Sequence, residues 1–289
     1  AAGVPTGRST PAARLEEVEG ALDAFGAPFV VKANGLASGK GVLVTEDRKA
    51  ALAHATQWLL QGDVLVEEFL DGPEVSLFFV SDGHTVHPLS PAHDYKRLGD
   101  GDTGPNTGGM GAYSPLPWLD EKFGSEDAFV DEVLTTIALP TVRQLASEGT
   151  PFIGLLYCGL ILTSMGIRVI EFNARFGDPE TQAVLRRLQT PLSELLFAAA
   201  TGTLAQHPRP VFSSDCAVTI VLASESYPDT PIIGRPLYGL DAASAVEGVR
   251  LFHGATTVSG DAVVSSGGRV LNVTAVGHGF ADARWRAYT

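Results

Sequence analysis

The chain has 289 residues, 45% hydrophobic and 18% charged, enough for two or three packed units with their own cores. Its 20 Lys+Arg against 33 Asp+Glu leave a net charge of −13, which argues against a nucleic-acid surface but not against a small anion held by local lysines. Cys158 and Cys216 each lie in an apolar run and read as buried free thiols of a reducing compartment. No apolar run reaches the roughly 18 residues of a membrane span. No targeting signal stands at Ala1, so a cytoplasmic protein with no membrane or nucleic-acid partner is expected. The chain opens without Met and closes in a helical pattern without a stop signal, so it reads as part of a larger protein.

In chain order, Thr10-Pro11 offers an N-cap and a first-turn proline, and Leu15, Val18, Leu22 and Phe25 form a helical stripe ending at Gly26. Pro28–Ala33 is a short strand with Lys32 near its end, and the loop Asn34–Gly41 leads into a second strand, Val42–Thr45. This is not a Walker P-loop, because three residues rather than four separate the glycines and Gly41, not Ser or Thr, follows Lys40. Two readings stay open: a plain hairpin turn, or a lid whose backbone N–H groups approach a phosphate, with Lys40 adding charge. Asp47–Leu60 is a helix. Val64–Leu70 is a strand ending in Glu67, Glu68, Phe69 and Leu70, and Glu74 opens the next strand after the Asp71-Gly72-Pro73 turn. Such acids either cap a strand at the surface or read a nucleotide.

Ala92–Tyr113 is the longest stretch expected to lack regular structure, and it carries Asp94, Lys96, Arg97 and Asn106. Loops of that length in a compact domain are functional or disordered, and the aromatic residues at its exit favour a folded binding loop. Asp127–Glu148 is a long amphipathic helix that Pro140 kinks or breaks. Pro151–Thr163 and Ile167–Asn173 are strands joined by Met165-Gly166. Strand alternation points Glu171 and Asn173 the same way. A carboxylate and an amide oxygen side by side suit Mg²⁺ completed by phosphates and water, and the competing reading is the polar face of an edge strand. Arg175, Asp178 and Glu180 follow. Glu180–Leu188 and Pro191–Thr201 are helices, and beyond His207 short strands form a smaller β-rich unit with no catalytic cluster.

Four stretches in this order carry a resemblance: Lys32–Gly41, Glu67–Gly72, Asp94-Tyr-Lys-Arg with Gly104–Ala112, and Glu171-Phe-Asn with Arg175–Thr181. Together the chain resembles the phosphoribosylamine–glycine ligases, ATP-grasp enzymes of purine biosynthesis. The resemblance implies an α+β architecture: an ATP-grasp fold of two α+β subdomains gripping ATP, followed by a small β-rich C-terminal domain. The divisions expected are 1–71, 72–206 and 207–289, with the family's N-terminal domain absent. Implied roles are catalysis by Lys96, Arg97 and Arg175, and ATP binding by Lys32, Ser38, Gly39, Lys40, Gly41, Glu67, Glu68, Phe69, Leu70 and Glu74. Asp94, Asn106, Asp178 and Glu180 would bind substrate, and Glu171 and Asn173 would hold Mg²⁺ or Mn²⁺. The implied substrates are ATP, glycine and phosphoribosylamine, joined into glycinamide ribonucleotide through glycyl phosphate by a monomer or weak homo-oligomer. The alternatives are another ATP-grasp carboxylate–amine ligase, or a nucleotide-binding fragment inactive without its N-terminal domain. Tyr95 stands where the family has His, Asn34 where it has Asp, and the Leu60–Val64 connection is short.

Overall fold

The computed structural model describes residues 2–35 and 41–289, so the readings placed on Ser38, Gly39 and Lys40 lie outside the described residues. The chain forms two compact units, one of Pro5–Pro73 with Ile161–Ile170 and one of Ala1–Val4, Glu74–Leu160 and Glu171–Thr289.

The smaller unit begins with β1 (Ser9–Ala12), α1 (Leu15–Phe25), β2 (Phe29–Ala33), β3 (Val42–Thr45), α2 (Arg48–Leu59) and β4 (Val64–Glu67). The four strands make an antiparallel sheet in the order β1-β4-β2-β3. Alternation along β4 turns Val64 and Val66 inward, where they pack with Val31, Val18, Leu22, Ala51 and Ala55 beneath the two helices. Asp47 caps α2 by accepting from the Lys49 amide. Thr10 and Pro11 do not start a helix; they lie in β1, opposite Val66 and Leu65 of β4, and α1 starts at Leu15. The Thr-Pro signal is local, whereas the pairing that overrides it spans over fifty residues of chain, and an edge strand tolerates proline.

The larger unit continues with β5 (Glu74–Asp82), β6 (Val86–Pro88), β7 (His93–Asp94), β8 (Arg97–Gly99), β9 (Thr103–Asn106) and β10 (Gly111–Ser114). Ala92–Tyr113 therefore holds more regular structure than its composition suggests. β8 and β9 pair as a hairpin, and β7 and β10 join a larger sheet. Strands of two to four residues are too short to show a period in sequence. After α3 (Trp118–Phe123), helix α4 (Glu126–Val133) passes through a π-type segment, Leu134–Ala138, into α5 (Leu139–Ser147). Pro140 thus occupies the first turn of α5, where its missing N–H costs little, and the wider turn before it absorbs the proline.

β11 (Ile153–Thr163) and β12 (Gly166–Asn173) complete a sheet in the order β12-β11-β5-β6. Phe78, Val80, Leu155 and Tyr157 from this sheet pack against Val184 of α6 (Glu180–Arg187) and Leu195 and Ala198 of α7 (Leu192–Thr201). The last stretch supplies β13 (Cys216–Ala223), α8 (Leu240–Ala245), β14 (Val249–His253), β15 (Thr256–Ser259), β16 (Ala262–Ser265), β17 (Arg269–Gly277) and α9 (Phe280–Tyr288). β14, β17 and β13 are continued by β10 and β7 in one five-stranded antiparallel sheet. Cys158 is buried as expected, but Cys216 is only half-buried. No helix among the described residues is long and apolar enough to cross a membrane.

Candidate active site

The larger unit concentrates charge where β5, β7, β11 and α6 meet. Glu74 and Ser76 stand two apart on β5 and share a face. Lys96 donates to the Glu74 carboxylate in a tight ion pair. Asp94 is 9% exposed and Glu180, the first residue of α6, is 4% exposed. Ser76 Oγ donates to Glu180 Oε1 at 3.0 Å and lies 2.9 Å from the Tyr157 hydroxyl. A carboxylate only accepts, so Ser76 spends its proton on Glu180 and accepts from Tyr157. A Cβ at Gly177 would lie 2.5 Å from a Glu180 carboxylate oxygen, so a larger residue there would displace that carboxylate.

Electrostatics follow from this crowding. Burial pushes the Asp94 carboxyl up to about 7, helped by Glu180 and Glu74 and opposed by Lys96. Burial works against the Lys96 charge, yet Asp94, Glu74 and Glu171 together outweigh it and hold the ammonium above its ordinary value. Burial, with Glu180 and Asp94 adding to it, raises the Tyr157 phenol, so Tyr157 acts as a neutral donor. Lys96 stays charged beside Asp94, Glu74 and Glu171.

Glu171 and Asn173 end β12 on one face, with Asn173 Nδ2 donating to Glu171 Oε1 at 3.0 Å. That bond uses neither the Asn173 carbonyl oxygen nor the second Glu171 oxygen, a hard-oxygen donor pair of the kind Mg²⁺ takes. Among the described residues no group of three or more His, Cys, Asp or Glu could hold a metal. Past the strand, Arg175 is exposed and donates to its neighbour's carbonyl, Phe176 O, at 3.0 Å. Asp178 accepts from Gln182 Nε2 at 2.8 Å and pairs with Arg269 of β17 at 3.5 Å.

Arg97 and Asn106 face each other across the β8–β9 hairpin, with Arg97 Nη1 donating to Gly104 O at 2.9 Å. The hairpin does not bring them into the Lys96 cluster by any direct bond among the described residues.

In the smaller unit, Lys32 Nζ meets Glu67 Oε2 at 2.6 Å, a diagonal cross-strand pair between β2 and β4 on the sheet face opposite the helices. Glu68 accepts from the Arg8 amide and from Arg8 Nε at 2.8 and 2.6 Å, which hold its carboxyl below the usual range. Phe69 is exposed, Leu70 half-buried, and Gly41 buried with its carbonyl 3.1 Å from His54 Nε2.

The chemistry-bearing residues missed in the sequence are Ser76, Tyr157 and Arg269. Ser76 could have been found from its i+2 spacing to Glu74. Tyr157 sits in an apolar strand and Arg269 in a β-rich stretch, and neither carries a local signal.

Residues 1–181 match the family model described as Phosphoribosylglycinamide synthetase, ATP-grasp (A) domain, and residues 217–289 match its C domain. The chain belongs to the phosphoribosylamine–glycine ligase family. It is 68% identical to the phosphoribosylamine–glycine ligase of Leifsonia xyli subsp. xyli, covering 99% of this chain and 68% of that protein. Identity to the Streptomyces coelicolor ligase is 58%, covering 99% of this chain and 67% of that one, so the chain spans about two thirds of these relatives. The crystal structure of the Thermotoga maritima phosphoribosylamine–glycine ligase superposes with a TM-score of 0.82 at 32% identity, over 99% of this chain and 71% of that chain. The α+β architecture described above is accordingly the ATP-grasp fold with its small C-terminal domain.

Proposed function

We propose that this chain carries out the family's reaction, ATP-dependent ligation of glycine to 5-phosphoribosylamine, giving glycinamide ribonucleotide, ADP and phosphate in purine biosynthesis. The observation that carries the reading is Lys96, held cationic among Asp94, Glu74 and Glu171 in a unit built from the family's motifs.

A glycine carboxylate cannot expel oxide, so it must be activated before an amine attacks it. Transfer of the γ-phosphoryl group gives glycyl phosphate, and the phosphoribosylamine nitrogen then displaces phosphate. This route needs positioning and charge neutralisation rather than an enzyme nucleophile. The thiols fit that requirement, since burial raises both Cys158 and Cys216 and keeps them protonated.

The chain's residues divide accordingly. Lys32 neutralises ATP phosphates together with Lys40, and the Ser38–Gly41 segment supplies backbone donors. Glu67, Glu68, Phe69 and Leu70 form the adenine edge, and Glu74 reaches the ribose. Lys96, Arg97 and Arg175 stabilise charge on the transferring phosphoryl and acyl groups. Asp94, Asn106, Asp178 and Glu180 orient glycine and phosphoribosylamine, with Glu180 aimed by Ser76. Glu171 and Asn173 would hold Mg²⁺ or Mn²⁺, which when bound supplies neutralisation of phosphate oxygens. Cytoplasmic location and a monomer or weak homo-oligomer accord with this role.

The test is release of ADP and phosphate by the complete gene product, with ATP, Mg²⁺, glycine and freshly prepared phosphoribosylamine omitted in turn. Release that requires both glycine and phosphoribosylamine is the expected result. Release with another amino acid in place of glycine would overturn the substrate assignment.

A further inference from the structure

β17 carries a side chain that reaches out of its own sheet. Arg269 Nη1 donates to Gly108 O at 2.6 Å, to Gly109 O at 3.5 Å and to the carbonyl of Asp178, while its other nitrogen pairs with the Asp178 carboxylate at 3.5 Å. One guanidinium therefore ties the Gly104–Gly111 run to the turn that follows β12. The same residue is also held through the peptide before it, because the Gly108 amide donates to the Tyr227 hydroxyl at 2.9 Å.

Gly108 and Gly109 leave room for this grip. A Cβ on Gly108 would lie 2.9 Å from Arg269 Cζ, and one on Gly109, whose φ is +111°, would lie 2.5 Å from Pro179 Cδ. Tyr227 is itself seated over Gly268, where a Cβ would come within 2.4 Å of its ring. A planar guanidinium with donors fixed in a fork suits several carbonyls converging from two segments; an ammonium of similar reach lacks that geometry.

We propose that Arg269, with Tyr227, is a positioning residue for the ligase reaction: it locks the Gly104–Gly111 segment against the Asp178 turn, so that Asn106 and Asp178 are presented to substrate in one fixed arrangement. The β-rich C-terminal region thereby takes part in substrate selection without touching substrate. The inference rests on the substrate roles proposed for Asn106 and Asp178. Its physical content, the immobilisation of residues 104–111, is independent of them.

The experiment compares the complete protein with its Arg269→Met, Arg269→Lys and Tyr227→Phe variants, each checked for folding by circular dichroism. Steady-state kinetics and amide hydrogen exchange of residues 104–111 are then measured. Arg269→Met is expected to raise KM for phosphoribosylamine or glycine about 10- to 100-fold through misplaced contacts while KM for ATP stays unchanged, and to speed exchange at Gly108–Met110. Arg269→Lys should recover part of the KM, and Tyr227→Phe should move exchange at Gly108 and KM in the same direction by less. If Arg269→Met does not fold, the Tyr227→Phe result decides. Unchanged KM and exchange would overturn the inference, as would a collapse of kcat with exchange unaltered, which would place Arg269 on the reacting groups. A wild-type protein inactive on glycine and phosphoribosylamine would instead overturn the functional reading, while the exchange data still judge the lock.

Discussion

Asp94→Asn separates the cost of burying a charge from its use. An acid whose folded-state pKa lies above its unfolded value binds more protons folded than unfolded, so its stability contribution is fully present below the unfolded pKa and falls as pH rises toward the folded one. Asp94 moves from 3.8 to about 7, with burial as the largest cause. At about 1.4 kcal/mol per unit, its ionisation costs up to about 4 kcal/mol once pH exceeds 7. Asparagine keeps the shape without the charge, so its stability relative to aspartate should rise by about 2.5 kcal/mol between pH 5 and pH 8. Any pH-independent cost of the new amide shifts the whole comparison and leaves this slope untouched. The assay is urea unfolding of both proteins at pH 5, 6, 7 and 8 with a fixed ionic strength. A difference that is flat across this range, or that turns against asparagine as pH rises, would refute the argument that burial dominates this site. The same substitution is expected to lower kcat/KM most above pH 7, where wild-type Asp94 carries the charge proposed to orient substrate, and progressively less as pH falls and that carboxyl is protonated.

Glu171→Gln removes the charged half of the oxygen pair on β12 and is expected to weaken Mg²⁺-dependent ATP binding about tenfold or more by calorimetry; unaltered affinity takes Glu171 out of the site. Arg187 is 5% exposed and donates to Ser90, Ser114, Ser213 O and Asp215 O. Arg187→Met strands these acceptors and the nearby Glu126 carboxylate, so denaturant unfolding should show a loss of about 3–5 kcal/mol. Cys158→Ala leaves a small void in the core and should cost about 1 kcal/mol of stability with kcat intact, and a folded but inactive variant would contradict the inert-thiol reading.

Much was legible along the chain because the signals are local. The β11–β12 hairpin follows from two apolar runs around Met165-Gly166, and the shared face of Glu171 and Asn173 from the two-residue period of a strand. The helix expected from Asp47 and the pairing of β2 with β3 arise the same way. The four motif stretches, read in order, sufficed for the family. Tertiary structure decided what depends on partners distant in sequence. Thr10-Pro11 became an edge strand because β4 was there to pair with it. The short strands of Ala92–Tyr113 took shape through a hairpin of their own and through β13, more than a hundred residues on. Ser76, Tyr157 and Glu180 form one hydrogen-bonded chain only when β5, β11 and α6 meet, and Arg269 reaches Gly108 across 161 positions. Periodicity and spacing report on a residue's neighbours along the chain. Burial, and the charges it forces together, are set by neighbours in space.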